Sequence, residues 1–580
     1  MSYMLDGFER RPRRRGAVLL SGVALLLVAL AGRLVYINCA LSARLLEFAD
    51  KQQSGFSNVP ARRGTIFDAR GRVLATSRRQ PDVFVDPFYV DDVEALAGKL
   101  GARLNLPAEE IAQRIRARAE SRYVPIARRV SETCADALRA LREPAVGLLE
   151  RDVRTYPLGG AAAHVLGFVG SDGHGLEGLE LAYDKHLRGT DGRKPAIRDA
   201  RRRALWAADE DERPTVDGGH VILTIDAEIQ RITLEALSRT VHEFEAESGV
   251  AVVMSPLDGR ILAMVNVPTF DPGDPSNVST AARRNRAVTD PTEPGSTIKP
   301  FIACGALDGG HVSAAEEFDC QFGRRRLGRR VVEDVTSHSL LTIEGIVAKS
   351  SNVGMTLIVE RMGNQALHDI LRSFGFGERT GVDGPGESGG IVYPLHRWTS
   401  LSPASLSFGY ELAVTPLQLA CAFCAIVNEG VLLRPRLIWK LVSADGRVVE
   451  AYDTPEMVRR VVSSDVARYV ATQALVSVVE EGSGHAATSR LYSVLGKTGT
   501  AKLPYRDRSG YEPGAYLSTF IGAAPASRPQ IAALVMIRRP NPKLGYYGGK
   551  VVAPAVGTIL ESALTYLEVP PDKPTAIAGL

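Results

Sequence analysis

From position 16 the chain is apolar almost without a break to 32, and after Arg33 the run resumes as Leu34-Val35-Tyr36-Ile37. A helix of about 22 residues rises about 33 Å, enough to cross the hydrocarbon core of a bilayer. Arg10, Arg11, Arg13, Arg14 and Arg15 precede the run, and basic flanks stay on the cytoplasmic side. The competing reading is a cleaved signal peptide. The run is long for that, and no clean small-x-small site follows directly. Asn38 before Cys39 argues against a lipoprotein anchor, and Arg10-Arg11 is a weak twin-arginine pattern. The pattern therefore predicts a cytoplasmic tail over 1–15 and an uncleaved single-pass anchor over 16–37. No second apolar run of this length occurs, so the remainder is expected on the outer side.

Beyond the anchor the apolar spacing shortens. Asp68-Ala69-Arg70-Gly71 separates two short strand-like stretches, and 94–119 carries helical patterns. Up to 217 no acid/base or metal constellation emerges, so 38–217 reads as a spacer or interaction domain whose charges form a solvated face. Arg201-Arg202-Arg203 and Asp209-Glu210-Asp211-Glu212 mark a polar loop or boundary. Val221-Ile222-Leu223-Thr224-Ile225 then predicts a strand, with Asp226 capping a helix to about Glu245. A hairpin is predicted around Ser255-Pro256-Leu257-Asp258-Gly259, and helices over 299–309, 350–361 and 464–481. Strands are expected over 518–523 and 531–537. Helices followed by antiparallel strands make an α+β layer structure over 218–568, with a tail over 569–580.

Three short motifs change this from architecture to chemistry. Pro294-Gly295-Ser296-Thr297-Ile298-Lys299-Pro300 puts a serine and a lysine three apart behind a Pro-Gly break. Positions i and i+3 share a helix face, and a helix N-terminus favours developing negative charge. Ser296 is then the candidate nucleophile and Lys299 its base. Ser-x-Asn occurs once, at Ser350-Ser351-Asn352, and Lys-Thr-Gly once, at Lys497-Thr498-Gly499. Ser350 can relay a proton, and Asn352 can fix Lys299 and bond a peptide amide. Lys497 can hold a substrate carboxylate and, as a second cation, lower the Lys299 pKa. Gly499, lacking a side chain, lets substrate backbone lie along Lys497–Thr500 beside Thr498. The backbone N–H groups of Ser296 and Thr500 are the candidate oxyanion donors. A lone Ser-x-x-Lys is near chance expectation; the ordered trio is not.

Composition narrows the field. Of 70 basic residues 12 are lysines, leaving 58 arginines, so a lysine inside a motif carries weight, because only lysine can lose its proton. A net charge of +4 over 580 residues argues against a nucleic-acid binder. Six cysteines are too few for a disulfide scaffold. Cys421 and Cys424, in an apolar helical run, read as core rather than zinc ligands. Cys320, Asp334 and His338 could serve as metal ligands but form no compact motif. No metal or cofactor is required.

With these motifs the chain resembles the class B penicillin-binding proteins, bacterial D,D-transpeptidases that cross-link peptidoglycan. The three motifs match that family's active-site motifs. Arg63-Gly64-Thr65-Ile66 and Gly175-Leu176-Glu177-Gly178 match its N-terminal pedestal, and Ser407-Phe408-Gly409-Tyr410 and Tyr547-Gly548-Gly549 match flanking elements. The resemblance implies an antiparallel sheet flanked by helices, preceded by an elongated dimerisation-type pedestal and one transmembrane helix. It implies acylation of Ser296 by stem peptides ending in D-Ala-D-Ala, inhibition by β-lactams, and residence in the inner membrane with the catalytic domain on the periplasmic side. By analogy its partners are a SEDS-type membrane glycosyltransferase and division proteins. Ser350-Ser351-Asn352 favours the division-specific, FtsI-like type, whereas the loop around Cys320 and His338 departs from it. The rivals are an elongation-specific enzyme, a hydrolytic relative, and a β-lactam-binding sensor or scaffold.

Overall fold

The computed structural model describes residues 6–42, 54–198, 204–206, 213–328, 330–505 and 507–574; side chains at 6–15, 54–58, 194–198 and 204–206 are not described. The arginine cluster at 10–15, as side chains, and the charged stretches at 201–203 and 209–212 lie outside that description. So does the tail from 575.

The chain divides into two compact units: Met1–Ala61 with Thr190–Asp217, and Arg62–Gly189 with Gly218–Leu580. In the first, the helix Asp6–Tyr36 runs on into a π-type turn at Ile37–Leu41. Within it, Gly16–Leu41 is long and apolar enough to cross a membrane. An antiparallel three-stranded sheet, Ser54–Val59, Gly192–Arg198 and Ala204–Trp206, completes that unit.

The second unit is built on a five-stranded antiparallel sheet. Its strands are β1 (Ser248–Met254), β2 (Ile261–Val267), β3 (Leu495–Pro504), β4 (Tyr511–Ala524) and β5 (Ile531–Arg538), in spatial order β2-β1-β5-β4-β3. Every residue of β1 is buried, because both sheet faces are covered. Helix α1 (Ala227–Glu243), capped by the Asp226 carboxylate on the N–H groups of Glu228 and Ile229, covers one face with the C-terminal helix. The other face carries α2 (Lys299–Asp308), α3 (Ile343–Lys349), α4 (Asn352–Ser373) and α5 (Pro416–Val427), and the C-terminal helix is α6 (Ala553–Tyr566). All twelve residues of α5 are buried, Cys421 and Cys424 among them.

Two expectations need correcting. The helix predicted over 350–361 starts two residues later: α3 ends at Lys349, Ser350 takes a left-handed backbone with φ +60°, and α4 opens at Asn352 after the Ser351 cap. The amphipathic pattern over 464–481 is one helical path interrupted by a π-type segment at Val470–Leu475. The charges between 62 and 189 also do more than face water. Arg63, Arg154 and Glu180 are buried, with Glu180 accepting from Arg63 Nε and Arg154 Nε at 2.7 Å each. Asp68, also buried, accepts from Arg72 Nε (2.6 Å) and from the Ala227 N–H (3.0 Å), tying the turn at 68–72 to the start of α1. Apart from Asp68 and Arg72, which are four positions apart, these partners lie far apart in the chain, so no local spacing exposes them.

Candidate active site

Ser296 sits in a 3₁₀ turn, Gly295–Ile298, that leads straight into α2. Gly295 has φ +57°, and its N–H donates to the Gly409 carbonyl (3.3 Å). The turn is pressed between backbones. A Cβ on Gly409 would lie 2.1 Å from the Gly295 carbonyl oxygen, and one on Gly499 2.8 Å from Thr297 Cγ2. Gly499 is therefore small because the turn that carries Ser296 packs on it, a reason that stands beside the substrate contact expected of it.

Lys299 opens α2 and Lys497 lies on β3; both are fully buried. Lys299 Nζ donates to the Ser350 carbonyl (2.5 Å), Ser350 Oγ (3.3 Å) and Asn352 Oδ1 (2.9 Å). Lys497 Nζ lies 3.1 Å from Ser350 Oγ and donates to the Thr498 carbonyl at 3.1 Å. The Ser350 hydroxyl thus bridges two amines. Its left-handed backbone, uncommon for a residue with a side chain, brings it there from the break between α3 and α4. Asn352 Nδ2 donates to the Glu333 carbonyl (2.9 Å), which fixes the amide with its oxygen toward Lys299.

Thr498 Oγ1 pairs with Ser483 Oγ (2.6 Å), and Thr500 Oγ1 accepts from the Gly548 N–H (3.0 Å). β3 is an edge strand, so its outer side is open to an extended chain. Among the described residues the Ser296 hydroxyl takes no hydrogen bond, since Lys299 Nζ is held by Ser350 and Asn352.

Burial decides the electrostatics. Loss of solvent lowers Lys299 well below the usual lysine range; the Lys497 charge lowers it further, and Asp334 raises it. Burial brings Lys497 down to about 7. A neutral amine beside a serine can take a proton at neutral pH.

Cys320 and Asp334 share Ser351 as a partner, and His338 faces elsewhere. Cys320 is buried with its sulfur 3.7 Å from Ser351 Oγ, and His338 Nε2 pairs with Thr336 Oγ1 (2.8 Å). Asp334 binds the Ser351–Val353 segment. Among the described residues no cluster of three or more His, Cys, Asp or Glu could hold a metal ion.

Residues 249–561 match the penicillin binding protein transpeptidase domain, and residues 58–223 the penicillin-binding protein dimerisation domain. The chain belongs to the penicillin-binding protein transpeptidase family. Within that family it is 33% identical to the peptidoglycan D,D-transpeptidase FtsI of Escherichia coli, over 96% of this chain and 92% of that one. It is 32% identical to the probable peptidoglycan D,D-transpeptidase PenA of Neisseria meningitidis, over 98% and 95%. Among solved structures, penicillin binding protein 3 of Mycobacterium tuberculosis in complex with aztreonam superposes with a TM-score of 0.69 at 29% identity, over 89% and 99%. A peptidoglycan synthetase of Bifidobacterium adolescentis gives 0.70 at 25%, over 90% and 98%. The α+β fold is the penicillin-binding one, with its antiparallel sheet flanked by helices.

Proposed function

We propose that this penicillin-binding protein is a peptidoglycan D,D-transpeptidase acting through a serine acyl-enzyme at Ser296. The observation that carries the reading is the Ser350 hydroxyl between two buried amines, Lys299 at 3.3 Å and Lys497 at 3.1 Å, next to a serine-bearing turn. Ser296 Oγ attacks the carbonyl between the two D-alanines of a stem peptide, and its proton passes to the neutral Lys299 amine. The oxyanion lies between the N–H groups of Ser296 and Thr500. The proton then passes through Ser350 Oγ to the amine of the leaving D-alanine as the peptide C–N bond breaks. An amine of a second stem attacks the acyl-enzyme, gives its proton back along the same path and releases Ser296. Asn352 holds Lys299 and bonds a substrate amide; Lys497, Thr498, Gly499 and Thr500 seat the substrate along β3. β-Lactams, shaped like D-Ala-D-Ala, acylate the same oxygen.

In this reading residues 16–37 anchor the chain in the inner membrane and the tail 1–15 stays cytoplasmic. Residues 38–217 form a pedestal and residues 218–568 a periplasmic transpeptidase domain ahead of the tail 569–580. The work is septal, alongside a SEDS-type glycosyltransferase and division proteins. Support comes from the apolar span, the basic flank and the Ser350-Ser351-Asn352 triplet. Two experiments test it. Fluorescent penicillin should label the wild type and not Ser296→Ala, and Ser296→Ala should fail to support growth. Labelling that persists in Ser296→Ala removes the nucleophile, and growth on that variant leaves a sensor or scaffold. A fluorescent fusion spread along the lateral wall, rather than gathered at the septum, overturns the division role.

A further inference from the structure

The hairpin of strands 324–327 and 330–333 ends at Asp334, whose own N–H donates to the Gly323 carbonyl (2.9 Å). Its carboxylate reaches across to the segment that carries Ser350 and Asn352. Oδ1 accepts from the N–H groups of Asn352 (2.5 Å) and Val353 (3.0 Å), and Oδ2 accepts from Ser351 Oγ (2.6 Å). Those N–H groups open α4, where no residue of the helix can accept from them and where negative charge is favoured. Ser351 Oγ, so held, accepts in turn from the Gly354 N–H (2.9 Å). The preceding residue of the hairpin, Glu333, accepts from Asn352 Nδ2 through its carbonyl. The hairpin end therefore grips Asn352 at both backbone and side chain, and it grips Ser351 directly after the left-handed Ser350.

We propose that Asp334 is a positioning residue for acyl transfer, holding the break between α3 and α4 so that Ser350 Oγ and Asn352 Oδ1 stay on the Lys299 amine. This rests on the Ser296 acyl-enzyme reading. A left-handed serine is strained and persists only where both neighbours are tied down. On the α3 side the tie is the Ser351 N–H on the Ile346 carbonyl (3.0 Å); on the α4 side it is Asp334. The same carboxylate also sets charge. Lys299 faces Lys497 from β3, Asp334 from the hairpin, and the neutral Ser350 and Asn352. Lys349, next to Ser350, turns away to the Glu481 carbonyl (3.0 Å). Asp334 is thus the acid that acts on Lys299, favouring its protonated form.

The test uses the full chain and follows penicillin acylation against pH, with rates expressed per active site counted by a saturating fluorescent penicillin. Asp334→Ala leaves two helix N–H groups and a hydroxyl without an acceptor, and acylation is expected to fall about tenfold or more. Asp334→Asn keeps an acceptor oxygen for the N–H groups and offers its NH₂ to Ser351 Oγ. Its plateau rate is expected within about threefold of wild type. It has lost the charge that raises Lys299, so the acidic limb of its pH profile should move to lower pH. A role confined to folding would change the number of active sites and the melting temperature, leaving the rate per site and the limb in place. Wild-type rates per site in Asp334→Ala, or an unmoved limb in a well-folded Asp334→Asn, overturn the proposal. Failure of Ser296→Ala to lose the label overturns the acyl-enzyme reading instead, and the two failures are read in separate variants.

Discussion

Arg63, Arg154 and Glu180 are buried as a matched set, two guanidinium groups on one carboxylate, with Asp184 taking Arg63 Nη1 at 2.6 Å. Lys299 and Lys497 are buried in the same unit, and among the described residues neither forms an ion pair; their partners are hydroxyl, amide and carbonyl oxygens. The difference separates two uses of buried cations. An arginine keeps its charge everywhere, so a carboxylate must accompany it, and the product is a fixed brace. A lysine without a carboxylate in contact loses its proton instead, and the product is a base. Where the fold is held, this chain uses arginine; in the proposed acyl-transfer site it buries two of its few lysines.

Lys299→Arg breaks the contrast most severely. It puts a permanent cation where a neutral amine is needed, and acylation by penicillin should fall by about a thousandfold or more. A rate within tenfold of wild type would remove Lys299 as the base. Glu180→Gln attacks the other side. It leaves Arg154 without a carboxylate and Arg63 with Asp184 alone, and urea unfolding should show a loss of about 3–5 kcal/mol. A loss under about 1 kcal/mol would mean that the buried set behaves like a surface pair.

Lys497→Met sharpens the comparison by separating stability from function. Acylation should drop, yet the protein should unfold later, with a gain of about 2 kcal/mol. The sign follows from the pKa. Lys497 falls from about 10.4 in the unfolded chain to about 7 in the fold, so the unfolded chain binds the extra proton between those values. Wild-type stability is then full above about 10.4 and is lost as pH falls toward about 7. The advantage of Lys497→Met should grow over that window and level off below it; an advantage independent of pH would mean that Lys497 stays charged when buried. Arg72→Lys should have the smallest effect. Arg72 joins Asp68 and Asp226 but is partly exposed, and a lysine keeps the charge while losing the fork. A cost of about 1 kcal/mol is expected.

Local chemistry made much of this readable in the chain. The Asp226 cap, the β1–β2 hairpin and α2 follow from spacing, capping and turn residues that act within a few positions. The trio Ser296, Ser350 and Lys497 was legible because each member needs a particular chemistry. The rest depends on distance. Nothing near Asp334 announces that its partners are Ser351, Asn352 and Val353, and the sequence offered its acid side chain only as one of three possible metal ligands. The left-handed backbone of Ser350 was hidden for another reason: the helical pattern read from 350 gives no sign that its first residue is left-handed. Gly499 was read as room for substrate, and its small size also makes room for the turn at 294–297.

The edge position of β3 has a consequence for selectivity. An unpaired strand edge offers donors and acceptors at a fixed repeat and reads main chain, whatever side chains the incoming molecule bears. Discrimination must then come from the few ångströms around Ser296, where a Cβ on Gly499 or Gly409 has no room. Such a surface admits any compact amide that imitates an extended backbone. Substitutions that would refuse an impostor must fall among residues the natural peptide also needs, which leaves this protein little freedom to tell the two apart.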